Sequence, residues 1–282
     1  MAVMKPLEQT RSLSLRLGCC GSRPSSSTDR VGVEDLEVLA RIGFDYIELS
    51  LADVAALPPP AFRSLKQHLR GGGIPCEACN HFFPECVRLT GSGARLAAAL
   101  EYAVAAMERA ASLGVRIIVF GSSGARNVPP GFSKDIAWKQ IVELLQHLGP
   151  IAAQHGITIS IEPMSRRESN IINRAAEGLL LVREVNHPNI QLLIDYYHLM
   201  LEKENPDIIL TAGPALRHVH FAEVAGRVFP TEEKKDYALF FDSLRQAGYE
   251  GRCSLEGYTC DFAAEASRAF ALLTRLAKGR SH

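Results

Sequence analysis

One unit recurs eight times along this chain: a short apolar strand, a loop, and a stretch with helical spacing. The strands read as Leu15–Cys20, Asp45–Leu51, Pro75–His81, Arg116–Phe120, Ile157–Glu162, Gln191–Asp195, Arg217–Phe221 and Arg252–Glu256. Strand–helix alternation implies parallel strands joined by right-handed crossovers. Eight such units favour a closed barrel over an open, doubly wound sheet. The dinucleotide-binding alternative also lacks its fingerprint, because Gly121-Ser-Ser-Gly124 follows a strand but is not G-x-G-x-x-G.

The helices read as Val33–Ile42, Pro60–Arg70, Arg95–Leu113, Ile136–His155, Ala175–Val185, Leu199–Leu210 (interrupted by Pro206), Lys234–Ala247 and Ala263–Ala277. Gly43, Gly71, Gly114, Gly156 and Gly248 are read as helix ends, since glycine suits the left-handed position there. The 282 residues lie close to the roughly 250 of a (β/α)₈ barrel. The expected architecture is α/β: a single (β/α)₈ TIM barrel over residues 1–282, with Met1–Leu13 as an N-terminal extension.

Charge narrows the partners. Lys+Arg and Asp+Glu both number 31, so the formal net charge is zero. Nucleic acid and anionic membranes usually call for a basic surface, so neither is expected. No apolar run reaches the roughly 20 residues of a membrane span, and the N-terminus carries no secretory core. The seven cysteines are odd in number and irregular in spacing, which reads as reduced thiols in a cytoplasm. A homodimer or homotetramer is compatible with the sequence.

Barrel active sites sit at the C-terminal ends of the strands. Residues along a strand alternate faces, so polar residues of inward parity are the ones to find. In Ile157-Thr-Ile-Ser-Ile-Glu162 the isoleucines share the outer face, and Thr158, Ser160 and Glu162 the inner one. By the same reading His218 and His220 point inward, as do Ser254 and Glu256, and Asp195 closes the apolar run of strand six. Glu162, Asp195, His220 and Glu256 thus converge from consecutive strands. Any one alone reads as readily as a solvated, salt-bridged or core group. Together they crowd three carboxylates, which repel unless a cation or proton neutralises them. The donor set suits one divalent ion such as Mn²⁺, Mg²⁺ or Co²⁺, and the absence of cysteine disfavours a structural zinc site.

Other polar residues near these ends could hold a substrate: His198, Glu168, Asn173, Arg227, Glu48, Asn80 and His81. His218, one pleat deeper than His220, is assigned to packing or to support of the site. Cys76-Glu-Ala-Cys79 is discounted as a chelate because residues i and i+3 of a strand point to opposite faces. Lys234-Lys235 reads as a solvated helix start. Ser122 and Ser123 have no evident His–Asp partner for a nucleophile.

The runs Ile159-Ser-Ile-Glu162-Pro, Leu193-Ile-Asp195-Tyr-Tyr-His198, His218-Val-His220-Phe-Ala-Glu223 and Ser254-Leu-Glu256 resemble the xylose isomerase-like barrel superfamily. Within it the likeness is greatest to ketose 3-epimerases of the tagatose/psicose type and to hydroxypyruvate isomerase-like proteins. The resemblance implies that Glu162 and Glu256 are both metal ligands and the catalytic pair, with Asp195 and His220 completing the shell of one ion, Mn²⁺ first. It implies that Glu168, His198 and Arg227 hold the substrate's first oxygens. The loop after His220 is one residue longer than the pattern, and the regions of Asn80–His81 and Ser122–Phe132 depart from it. The implied chemistry is proton removal beside a carbonyl through a metal-stabilised enediolate, with return from the opposite face. Inosose dehydratase or isomerase activity and a C-glycoside-cleaving subunit are the alternatives. An endonuclease IV-like phosphodiesterase and a non-enzymatic sugar-binding barrel stand further off.

Overall fold

The computed structural model describes residues 13–21 and 31–279. The extension expected at the N-terminus therefore lies, apart from Leu13, outside the described residues. The strands are β1 (Arg16–Cys20), β2 (Tyr46–Ser50), β3 (Cys76–Asn80), β4 (Ile117–Phe120), β5 (Thr158–Ile161), β6 (Ile190–Asp195), β7 (Leu216–Phe221) and β8 (Arg252–Leu255). They pair in parallel and in chain order, and β8 closes on β1. The eight-stranded barrel expected from the sequence is the observed fold.

The helices are α1 (Leu36–Ile42), α2 (Leu51–Ala56), α3 (Pro59–Gly71), α4 (Leu96–Leu113), α5 (Ser123–Arg126), α6 (Lys134–Gln154), α7 (Ala175–Val185), α8 (Tyr196–Leu201), α9 (Ile208–Ala212), α10 (Lys235–Gln246) and α11 (Phe262–Lys278). Gly114 ends α4 in the left-handed conformation, φ 93°, and its N–H returns to the last turn. Gly71 does not play that part: α3 runs through it, and the left-handed residue is Gly73. The single helix expected over Leu199–Leu210 is two, α8 and α9. Pro206 has no N–H to continue the ladder, and Lys203 turns left-handed at φ 54°. Short α2 and α5, which begin within three residues of the ends of β2 and β4, have too few residues to show a helical period.

Strand alternation sorts the core into two layers. Ile159, Ile161, Val219, Phe221, Cys253 and Leu255 pack outward against the helices. Phe221 stacks with Tyr196 at 4.6 Å between centroids and meets Tyr237 and Phe241 at 5.0 and 5.5 Å; truncating such a side chain to Ala costs about 3–5 kcal/mol. Tyr46, Ala78, Ile117, Val119 and Leu193 fill the interior. Gly18 makes room for the Tyr46 ring, since a Cβ there would stand 2.3 Å from it.

Cys76 and Cys79 correct an expectation. Both face the outer core rather than opposite sides, because β3 carries an extra residue where Ile47 pairs Cys76 and Glu48 pairs Ala78. A bulge of this kind resets the parity of a strand. Among the described residues, which include all seven cysteines, no disulfide forms. No helix among them is long and apolar enough to cross a membrane.

Candidate metal centre and active site

Four strand ends deliver Glu162, Asp195, His220 and Glu256 to one buried cluster, each able to offer a ligand atom within 4.8 Å of the others. His220 Nδ1 lies 3.4 Å from Glu162 Oε1 and 3.2 Å from Glu256 Oε2. Glu162 stands just past β5, where Gly121 leaves it space: a Cβ at position 121 would fall 2.2 Å from Glu162 Oε2. Asp195 ends β6 and splits its carboxylate. Oδ1 accepts from the Tyr197 N–H at 2.8 Å and so caps α8, while Oδ2 faces the cluster.

His220 is held from behind by Glu48, whose Oε1 lies 3.0 Å from Nε2. The other Glu48 oxygen accepts from Ser254 at 2.6 Å and lies 2.8 Å from His218 Nε2. Burial alone would raise the Glu48 pKa, but His220 and His218 outweigh it and hold the group well below the usual carboxylate range. Glu48 is therefore an anion that fixes the imidazole with Nδ1 turned toward the cluster. Cys20, Glu48 and His220 also lie close together, but these bonds place Glu48 to orient rather than to ligate. His218 supports the site through Glu48.

Electrostatics describe a pocket short of positive charge. Burial, reinforced by Glu256 and Glu162 and opposed by Arg227, pushes the Asp195 pKa up to about 7. Burial works against a charged His220, yet Glu48 and Glu256 raise its pKa well above the ordinary value. Glu162 Oε1 and His220 Nδ1 are buried without a hydrogen-bond partner among the described residues. Oxygen donors from three carboxylates and one imidazole nitrogen fit a hard or borderline divalent cation. Such an ion would take the place of the proton and satisfy both orphaned atoms.

Arg227 reaches the same cluster. Its Nη2 donates to Glu256 Oε2 at 2.6 Å and Asp195 Oδ2 at 3.1 Å, and its Nη1 to both oxygens of Glu168 at 2.9 and 3.1 Å. The guanidinium also stacks over Tyr197, 4.6 Å from the ring centroid. Its backbone is left-handed, φ 51°, a conformation costly for a residue other than glycine and common where function demands it.

Above the cluster opens a cavity of about 460 Å³ lined by Glu162, Glu256, Glu168 and Arg227, together with Asn80, His81, Ser50 and Asp53. Two of the three residues expected to grip substrate thus line it. His198 lies instead beside Asp195, 3.7 Å from Oδ2, with Nδ1 accepting from the Ser165 N–H. Asn173 is spent on the Met164 and Ser169 carbonyls. Lys234 pairs with Glu223 on the surface, as its helix-start position predicts.

Sequence reasoning missed Arg126. It is fully buried and donates to the Phe120 carbonyl at 2.7 Å and the Glu162 carbonyl at 2.8 Å, pinning the end of β5. Burial draws its pKa down to about 10, with Glu162 opposing. A basic residue in a loop of small residues carries no signal of that burial.

A family model described as xylose isomerase-like TIM barrel matches residues 36–275. L-ribulose 3-epimerase of Methylomonas sp. (strain DH-1) is 30% identical over 229 residues, 79% of this chain and 77% of that protein. D-psicose 3-epimerase of Agrobacterium fabrum is 26% identical over 231 residues, 79% of this chain and 78% of the relative. Among solved structures, D-allulose 3-epimerase from Methylomonas sp. in complex with D-allulose superposes with a TM-score of 0.81 at 25% identity, covering 93% of this chain and 99% of that one. The 3-keto-D-glucoside 4-epimerase of E. coli shares the fold with a TM-score of 0.76 at 22% identity, over 92% and 98% of the two chains. With the match spanning the strands that carry the four-residue cluster, the chain belongs to the xylose isomerase-like TIM-barrel family.

Proposed function

We propose that this protein is a divalent-metal-dependent sugar epimerase or isomerase that exchanges a proton beside the carbonyl of a ketose. The observation that carries the reading is the placement of Glu162 and Glu256. They end strands three steps apart around the ring, join one buried ligand cluster, and both border the same cavity. When bound, the ion supplies Lewis-acid polarisation of the carbonyl and its neighbouring hydroxyl. Glu162, Asp195, His220 and Glu256 would hold it, Mn²⁺ first among the candidates.

The chain's own residues account for the remaining steps. Glu168 and Arg227 grip the first oxygens of the sugar. One of the two glutamates removes the proton and the other returns one from the opposite face, a task worth about 10²–10⁴-fold in rate for a positioned acid–base group. Return to the same carbon inverts it, and return to the neighbour moves the carbonyl. Relatives named as ketose 3-epimerases over three-quarters of the chain favour inversion at C3. Among the described lining residues Arg227 is the one arginine or lysine, and it already engages three carboxylates. Asp53 and Glu85 add negative charge to the lining, so the charge balance favours a free sugar over a phosphorylated one.

The test is a screen of free ketoses, their phosphates and inososes with Mn²⁺ in deuterated water, read by mass spectrometry. Deuterium at the carbon that inverts supports the reading. Metal binding with no exchange on any of them would favour a binding role.

A further inference from the structure

We infer that Asn80 sets both the position of the Glu256 carboxylate and the requirement for a hydroxyl on the substrate, an assignment that rests on the proposed proton-transfer reading. Asn80 ends β3, is 4% exposed, and lines the cavity. Its two amide atoms have separate roles. Nδ2 donates to Glu256 Oε1 at 3.1 Å. Oδ1 is buried and has no hydrogen-bond partner among the described residues.

The orientation of the amide follows from its neighbour. An ionised carboxylate only accepts, so the NH₂ must face Glu256 and the carbonyl must face away. Glu256 then has two distinct oxygens. Oε2 is turned to His220 Nδ1 and Arg227, the side where the ligand cluster gathers. Oε1 is the oxygen whose direction Asn80 fixes, and it is the one assigned to proton transfer.

The backbone around Asn80 is built at a cost. His81, the next residue, is left-handed at φ 46°, and Ser122, which also lines the cavity, at φ 30°. Neither is glycine, and such conformations cluster where geometry serves function. Ser122 Oγ accepts from the Phe83 N–H at 2.9 Å, tying the β3 and β4 ends together.

A buried lone carbonyl oxygen at the cavity wall needs a donor. A sugar hydroxyl supplies one, whereas a hydrogen or a carbonyl in its place leaves Oδ1 unsatisfied. Sites built to bond a hydroxyl reject analogues that lack it far more strongly than apolar pockets discriminate. Asn80 is thus a specificity residue toward the substrate and a positioning residue toward Glu256.

The experiment compares wild type, Asn80→Ala and Asn80→Asp on the best ketose and its monodeoxy analogues, with metal content and thermal stability measured alongside. Asn80→Ala should lose about 10-fold or more in kcat, as expected for a hydrogen bond to a charged group. It should also lose the wild type's preference for one particular hydroxyl over its deoxy analogue. Asn80→Asp keeps an acceptor but sets a second carboxylate beside Glu256, where like charges repel, so it should keep that preference while kcat falls. Metal content should stay at the wild-type level in Asn80→Ala. An active wild type whose kcat and hydroxyl preference are unchanged in Asn80→Ala overturns the Asn80 assignment alone. A wild type that exchanges no proton on any ketose overturns the proposed function and this assignment together.

Discussion

His220 Nε2 lies 3.0 Å from Glu48 Oε1, on the far side of the imidazole from Glu162 and Glu256. The contact fixes which ring nitrogen faces the ligand cluster. Partners of this kind are worth about 10–100-fold in metal affinity. Glu48→Ala should weaken Mn²⁺ binding by that factor, and Glu48→Gln, which still accepts but is neutral, should fall between. Calorimetric titration of apoprotein checks this, and an unchanged affinity in Glu48→Ala would remove Glu48 from the site.

The cluster itself predicts one ion per chain. Protein purified without chelators should carry about one equivalent, because the ligands are preassembled on rigid strands. Asp195→Asn and His220→Ala should each lower that content sharply in elemental analysis. Wild-type metal content in both variants would show that the ion, if any, binds elsewhere.

Gly121 predicts a catalytic defect without a folding defect. A Cβ there collides with Glu162 Oε2 at 2.2 Å. The struck atom is the tip of a side chain, so the carboxylate shifts while the barrel holds. Gly121→Ala should keep its thermal midpoint within a few degrees and lose about 10²-fold in kcat, the cost of a displacement near 1 Å. Parental kcat in a folded Gly121→Ala would contradict the placement of Glu162.

Substrate grip divides unequally among three residues. Glu168→Ala and Arg227→Ala should raise KM with metal content intact, since both line the cavity. His198→Ala should change KM less, because His198 stands behind Asp195. Steady-state kinetics on the true substrate decide it. The largest KM effect at His198 would mean that the ligand reaches deeper than the cavity described.

Much of this was legible before the structure. Period-two alternation placed Glu162, His220 and Glu256 on the inner face, and every strand ends within one residue of its expected bounds. What escaped depends on contacts between strands distant in sequence. Glu48 was recognisable as inward-facing, yet nothing local tells that β2 aims it across the barrel at β7. The bulge that turns Cys76 and Cys79 the same way exists only as a pairing of β3 with β2. Arg126 carries no periodicity, and its burial follows from the bonds it donates to the Phe120 and Glu162 carbonyls at two strand ends.

The central claim is that Glu162 and Glu256 act on opposite faces of one substrate. The most direct measurement is deuterium wash-in by Glu162→Gln and Glu256→Gln, each loaded with metal, starting separately from the ketose and from its epimer. Both variants should lose at least about 10²-fold in turnover. Each retains one base, so each should still exchange the proton of the one epimer that faces it, without forming product, and the two variants should prefer opposite epimers. Near-parental turnover in both variants, or the same epimer preference in both, would contradict the two-base account.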